Sequence, residues 1–112
     1  MITLDQLRTL ALSFPETTEA PHFENSSFRV KKKIFATYDG VTNTTNIKLS
    51  LEQQDVFCLG DHGLSPVSNK WGKYGWTTID MNRVDTKLFE DAITTAYCTI
   101  APKKLVEMLR SA

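Results

Sequence analysis

The segment from Ser26 to Leu49 constrains the fold of this chain most strongly. Ser26 to Val30 alternates in the manner of a strand, with Phe28 and Val30 on one side. Lys33 to Tyr38 is rich in β-formers, and only Lys31 and Lys32 separate the two segments. So short a connection makes a hairpin and cannot make a parallel crossover, so the strands pair antiparallel. Lysine suits the positive φ angles of a tight hairpin turn poorly. Either this turn is less tight, or its charge matters more than its geometry. Asp39-Gly40 opens a second turn, and Thr44 to Leu49 is a third strand with Ile47 and Leu49 on one face.

Helical patterns surround this block. Thr3 and Gln6 form a capping box for a helix carrying Leu4, Leu7, Leu10 and Ala11 as its apolar stripe, and Phe14-Pro15 ends it. Thr17 to Asn25 reads as a loop. Ser50 and Gln53 form a second capping box, for a helix from Leu51 to Leu59 that Gly60 closes. Asp61 to Asn69 is loop or irregular strand, Lys70 to Gly75 a glycine-containing connection, and Trp76 to Met81 another strand. Asp85 caps a helix bearing Leu88, Phe89, Ala92, Ile93 and Ala96; Pro102 suits the first turn of a last helix with Leu105, Val106 and Leu109 inward. Strands clustered between helices predict an α+β fold, a single antiparallel sheet with helices packed on one face. Phe28, Val30, Ile47, Leu49, Ile79 and Met81 then point into the core, while Arg29, Lys48, Trp76, Thr78 and Asp80 point to the open face. Pairing across Lys31-Lys32 sets Phe28 opposite Phe35, which sends Ile34, Ala36 and Tyr38 to the open face as well.

The length of 112 residues fits one domain over 1–112. Thirteen lysines and arginines balance 13 acidic residues, which speaks against tight binding of nucleic acid or membrane by bulk charge. No stretch approaches the roughly 18 apolar residues of a membrane span, and the first residues lack a secretory signal. The expectation is a cytoplasmic protein with no membrane partner. Cys58 and Cys98 form no CxxC pair and read as reduced, buried thiols. His22 and His62 lack zinc-site spacing, so no metal is expected. No phosphate-binding loop, nucleophile elbow or dinucleotide fingerprint occurs, so neither catalytic residues nor a cofactor are expected and the chain reads as a non-enzyme. Glu16, Glu19 and Glu24 read as solvated loop acids.

The charge is nonetheless uneven. Lys31, Lys32 and Lys33 crowd a hairpin tip, flanked by Arg29 and Lys48, and projecting lysines of this kind bind phosphates. Lys70-Trp71-Gly72-Lys73-Tyr74-Gly75-Trp76 interleaves lysines and aromatics, a composition suited to base stacking. The competing structural readings are turn lysines that block edge pairing and tryptophans that close the core. Two functions follow. One is a DNA-binding protein in which Arg29, Lys31, Lys32, Lys33, Lys48, Lys70 and Lys73 meet phosphates while Tyr74 and Trp76 stack. The alternative is a non-enzymatic module that binds a protein or small ligand through the aromatic open face around Trp71, Tyr74 and Trp76.

An ordered set of short segments spans nearly the whole chain: Ser13-Phe14-Pro15-Glu16-Thr17-Thr18-Glu19, Pro21-His22-Phe23, Phe28-Arg29-Val30, Lys33-Ile34-Phe35-Ala36, Gly75-Trp76-Thr77-Thr78-Ile79-Asp80, Ala96-Tyr97 and Ala101-Pro102-Lys103-Lys104. Together they resemble the MmcQ/YjbR family. The resemblance implies a frataxin/CyaY-like α+β fold whose two projecting hairpins have been described as a double-wing DNA-binding motif. The first wing falls on Arg29 to Lys33 and the second around Lys70 to Trp76. Lysines replace the glycine frequent at the family's first turn, and Trp-Gly-Lys-Tyr-Gly-Trp replaces the commoner Asn-Lys-x-His-Trp-Asn. The frataxin-like shape also raises iron binding, for which the first helix offers only Asp5.

Overall fold

The computed structural model describes residues 1–22 and 25–111. The first helix, α1 (Leu4–Leu12), begins as expected: Thr3 and Gln6 close both arms of a capping box. A strand that the sequence reading treats as loop follows, β1 (Thr17–His22). It pairs antiparallel with β2 (Asn25–Val30), which pairs with β3 (Lys33–Asp39) and through it with β4 (Thr44–Lys48). Helix α2 (Leu51–Phe57), short strand β5 (Leu64–Pro66), a 3-10 turn (Lys70–Tyr74) and β6 (Trp76–Asp80) come next. Helices α3 (Thr86–Ile100) and α4 (Lys103–Ser111) complete the chain. The six strands form one antiparallel sheet in the order β1-β2-β3-β4-β6-β5. Among the described residues no helix is long and apolar enough to cross a membrane.

β1 escapes the sequence reading because it is an edge strand without apolar alternation. It carries Pro21, which an edge tolerates because one side of an edge strand makes no ladder. Phe23 and Glu24 lie outside the described residues. β5 likewise ends on Pro66 at the opposite edge. Asp85 caps α3 through Leu88 N at 2.7 Å, and Ser50 with Gln53 caps α2. The C-cap of α2 is Cys58 rather than Gly60.

Phe28, Val30, Ile47, Leu49, Ile79 and Met81 are fully buried, as the alternation predicts. The register between β2 and β3 departs from expectation. Val30 faces Lys33 and Arg29 faces Ile34, but Phe28 faces Ala36, so Phe35 is an extra residue on β3. Such a bulge lets two consecutive side chains turn to the same side. Phe35 and Ala36 are accordingly both buried, and Tyr38 packs against the core cluster. The expectation that Ala36 and Tyr38 lie on the open face is corrected; Ile34, on the turn side of the bulge, keeps its place beside Arg29.

The extra phenylalanine completes an aromatic cluster. Phe14 at the end of α1 lies 4.8 Å from the Tyr97 ring on α3, and Phe35 meets Tyr97 edge-on at 5.6 Å. Tyr97 Oη donates to the Pro15 carbonyl at 2.8 Å. Arg8 on α1 grips Glu19 of β1 with two hydrogen bonds, at 2.6 and 3.0 Å. Glu19 shares the face of Phe28, its partner in the register, so α1 is tied to the covered face.

Phe35→Ala is expected to cost about 3–5 kcal/mol, because it empties a fully packed ring position; urea unfolding measures this. The hydrogen bonds from Arg8 hold the Glu19 carboxyl below the ordinary glutamate range. A depressed folded-state pKa adds stability that is present above the unfolded value and is lost as pH falls through the folded one. Wild-type stability therefore drops on acidification, from about pH 5 downward. In Glu19→Gln that part of the acid loss disappears, as urea midpoints across the same range will reveal.

Candidate nucleic-acid interface

The register carries the basic segments to one end of the sheet. The β2–β3 turn lies at that end. β4 finishes there with Lys48, and β6 starts there, since Lys48 faces Trp76. The Lys70–Tyr74 turn runs directly into Trp76 and shares this end. Tyr97 bonding to Pro15 and Thr99 bonding to Gln53 bring the end of α3 there too, followed by Lys103 and Lys104. Two to three strand spacings, on the order of 10–14 Å, separate the Lys31-Lys32 turn from the start of β6.

The acidic residues of the far end are engaged in local structure. Asp39 accepts from Val41 N, Asp80 from Asn82 N, and Asp85 from Leu88 N. Asp61 pairs with Arg83, which lowers its carboxyl pKa. The acids thus close turns and cap a helix, where backbone N–H groups lack partners. The separation of charge between the two ends is partial, since Glu16 lies beside Lys31 at the lysine turn and Arg83 and Lys87 lie among the far-end acids.

Lys31 and Lys32 both adopt positive φ, 50° and 69°. The turn is therefore as tight as its length implies, and both lysines sit where asparagine or glycine is favoured. Each non-glycine residue held there costs on the order of 1–3 kcal/mol. Lys31 recovers little of this from its exposed pair with Glu16 at 2.8 Å. Among the described residues Lys32, Lys33, Lys70 and Lys73 make no ion pair. Arg29 turns its Nε to Ser27 Oγ at 3.1 Å rather than to an acid.

The second basic segment is a 3-10 turn held by backbone contacts. Asn69 caps it by accepting from Trp71 N. A Cβ on Gly72 would overlap the Val67 carbonyl oxygen, and one on Gly75 would overlap that of Leu49. Gly75 also has a φ of 99°, a region open to glycine. The buried amide of Gln54, on α2, donates to the carbonyls of Gly72 at 2.9 Å and Trp76 at 3.1 Å. Lys48 Nζ donates to the carbonyls of Tyr74 and Leu49. Lys48, grouped by sequence with the phosphate-facing lysines, thus clamps the turn with its ammonium.

The aromatics divide. Trp71 and Tyr74 are 51% and 62% exposed, their rings 6.1 Å apart, with the Lys70 ammonium 5.5 Å from the Trp71 ring centre. Trp76 is half-buried on the open face. By sequence alone Trp71 belongs to the open-face aromatics and not to the nucleic-acid set. Its spacing of three residues from Tyr74 signals a shared face, because side chains three apart eclipse in a 3-10 helix.

Other candidates stay apart. Cys58 and Cys98 are half-buried rather than buried, and desolvation raises both thiol pKa values, so they are protonated at neutral pH. His62 is exposed. Among the described residues no three His, Cys, Asp or Glu side chains gather as metal ligands.

A family model described as YjbR matches residues 12–99. The fold is similar to the crystal structure of Deinococcus radiodurans protein DR2400, of the DUF419 domain family. The TM-score is 0.78 at 19% identity, over 98% of this chain and 89% of that one. No curated protein sequence matches.

Lys32→Gly is expected to stabilise the protein by about 1 kcal/mol, since glycine removes the αL strain and leaves the turn type unchanged. Its thermal midpoint should rise; a fall would show that the lysine stem packs in the folded state.

Proposed function

Because the chain belongs to the YjbR family and gathers its basic segments at one end of its sheet, we propose that it is a non-enzymatic DNA-binding protein. It grips phosphate backbones weakly and with little regard to base sequence. The observation that carries this reading is the convergence of Arg29, Lys32, Lys33, Lys70 and Lys73 on one end while the far-end acids close turns. Two separate segments then address one polyanion, and each phosphate contact releases condensed counterions.

The strained lysines support the same reading. A turn that keeps lysine where glycine costs less keeps it for its charge, a trade of stability against binding seen at functional surfaces. The first wing of the double-wing description corresponds here to the Arg29–Lys33 hairpin. In place of a second hairpin stands the rigid Lys70–Tyr74 turn. The neutral sum limits affinity, because the distant acids contribute repulsion that salt only partly screens. The protonated thiols and exposed histidine suit a binding protein better than a nucleophilic enzyme.

With four to five phosphate contacts, the logarithm of affinity should fall against the logarithm of salt with a slope of about −4. Fluorescence anisotropy with a labelled short DNA, at two or more salt concentrations, measures it. Lys32→Ala combined with Lys33→Ala should reduce the slope by about 2 and weaken binding to unrelated sequences equally. No binding at low salt, or a slope that ignores these substitutions, would sink the proposal.

A further inference from the structure

We infer that the Lys70–Tyr74 turn is a stacking platform for unpaired bases, so that this protein prefers single-stranded DNA to duplex. The inference rests on the DNA-binding reading and names the form of DNA that the site takes.

Its first support is the arrangement of the turn. Lys70 and Lys73 form one pair three residues apart and Trp71 and Tyr74 another. In a 3-10 helix such pairs eclipse at a rise of about 6 Å. Cations therefore lie close to aromatics along the turn, the Lys70 ammonium over the Trp71 ring at 5.5 Å, as a strand's phosphates lie close to its bases. The 6.1 Å between the rings and their 55° tilt do not fit bases stacked about 3.4 Å apart, as duplex holds them. Duplex also buries base faces against each other. Splayed bases of a single strand offer them to aromatic rings.

The second support is rigidity. Large exposed aromatics on a mobile loop would be unremarkable surface. Here the backbone beneath them is wedged at Gly72 and Gly75, bound by Gln54, clamped by Lys48 and capped by Asn69. The rings are held out to solvent before any ligand arrives, which lowers the ordering cost of binding. Neither ring closes the core: Trp71 and Tyr74 rank among the exposed large hydrophobic residues.

The third support is continuity with the lysine hairpin. Trp76 faces Lys48 on the open side of the sheet, and Arg29 faces Ile34 on that side, close to the Lys31-Lys32 turn. The row between carries no acid. A strand leaving the platform crosses this face toward Arg29, Lys32 and Lys33, while Lys48 stays on its carbonyls and Lys31 on Glu16.

The experiment is an anisotropy titration of a labelled thymidine oligonucleotide and a labelled duplex of equal length at low salt. It compares wild type, Trp71→Ala with Tyr74→Ala, Trp71→Leu with Tyr74→Leu, and Lys32→Ala with Lys33→Ala. Wild type should bind the single strand about tenfold or more tighter than the duplex. Both aromatic double variants should lose about tenfold per ring on the single strand and little on the duplex. The leucine pair keeps apolar bulk, so its loss reports stacking rather than misfolding. The lysine variant should weaken both ligands alike. If wild type binds both DNAs equally and the aromatic variants change neither, the platform is overturned while the phosphate reading stands. If wild type binds neither, both are overturned. If the leucine pair retains full single-strand affinity, apolar contact rather than base stacking is at work and the inference fails.

Discussion

The β3 bulge at Phe35 is the constraint on which the rest of the molecule depends. A regular two-residue hairpin sends alternate side chains of β3 to opposite faces, and Ala36 and Tyr38 would then meet solvent. One extra residue reverses the strand beyond it. Phe35 and Ala36 both enter the core, and Phe35 closes the aromatic cluster with Phe14 and Tyr97. That cluster fastens the end of α1 and the C-terminal part of α3 beneath the end of the sheet from which the lysine turn projects. The hairpin is firm because its base is packed with rings.

A different device holds the second basic segment. Its backbone approaches neighbouring carbonyls so closely that only glycine fits at residues 72 and 75, and polar side chains satisfy the carbonyls left over at its end. Lys48 illustrates how charge and structure divide the work. On an exposed strand the residue is a cation; beside the turn its ammonium replaces the backbone donors that a 3-10 helix end lacks. A lysine on backbone carbonyls holds the turn in place.

The placement of several acids follows from the same use of backbone groups. Turns and helix starts need acceptors, which Asp39, Asp80 and Asp85 supply at one end of the sheet. No comparable local demand holds Lys32, Lys33, Lys70 or Lys73 at the other end. Lys32, Lys70 and Lys73 sit on turns held by strain or close packing, Lys33 opens β3, and all four residues are exposed. It is on these cations, unpaired among the described residues, that the proposed phosphate contacts rest.

Much of the fold was legible in the residue pattern. Both capping boxes, the Asp85 cap, six core positions and the antiparallel class follow from short-range chemistry, because hydrogen-bond reach and strand alternation act over a few residues. The edge strand β1 was not legible, since its partner supplies its pairing while its own side chains lack alternation. Nor was the bulge, which the local sequence permits and only the fit of Phe35 between Phe14 and Tyr97 selects. At the candidate site, the residue types and the K-W-G-K-Y spacing stood in the sequence. Which cations converge, that Lys48 turns to backbone carbonyls, and that Trp71 stands exposed while Trp76 is half-buried were decided by the tertiary structure. The reason is physical: a chain's own pattern states which groups want water and which do not, while the distances between groups far apart in sequence exist only once the sheet is paired and the helices are packed against it.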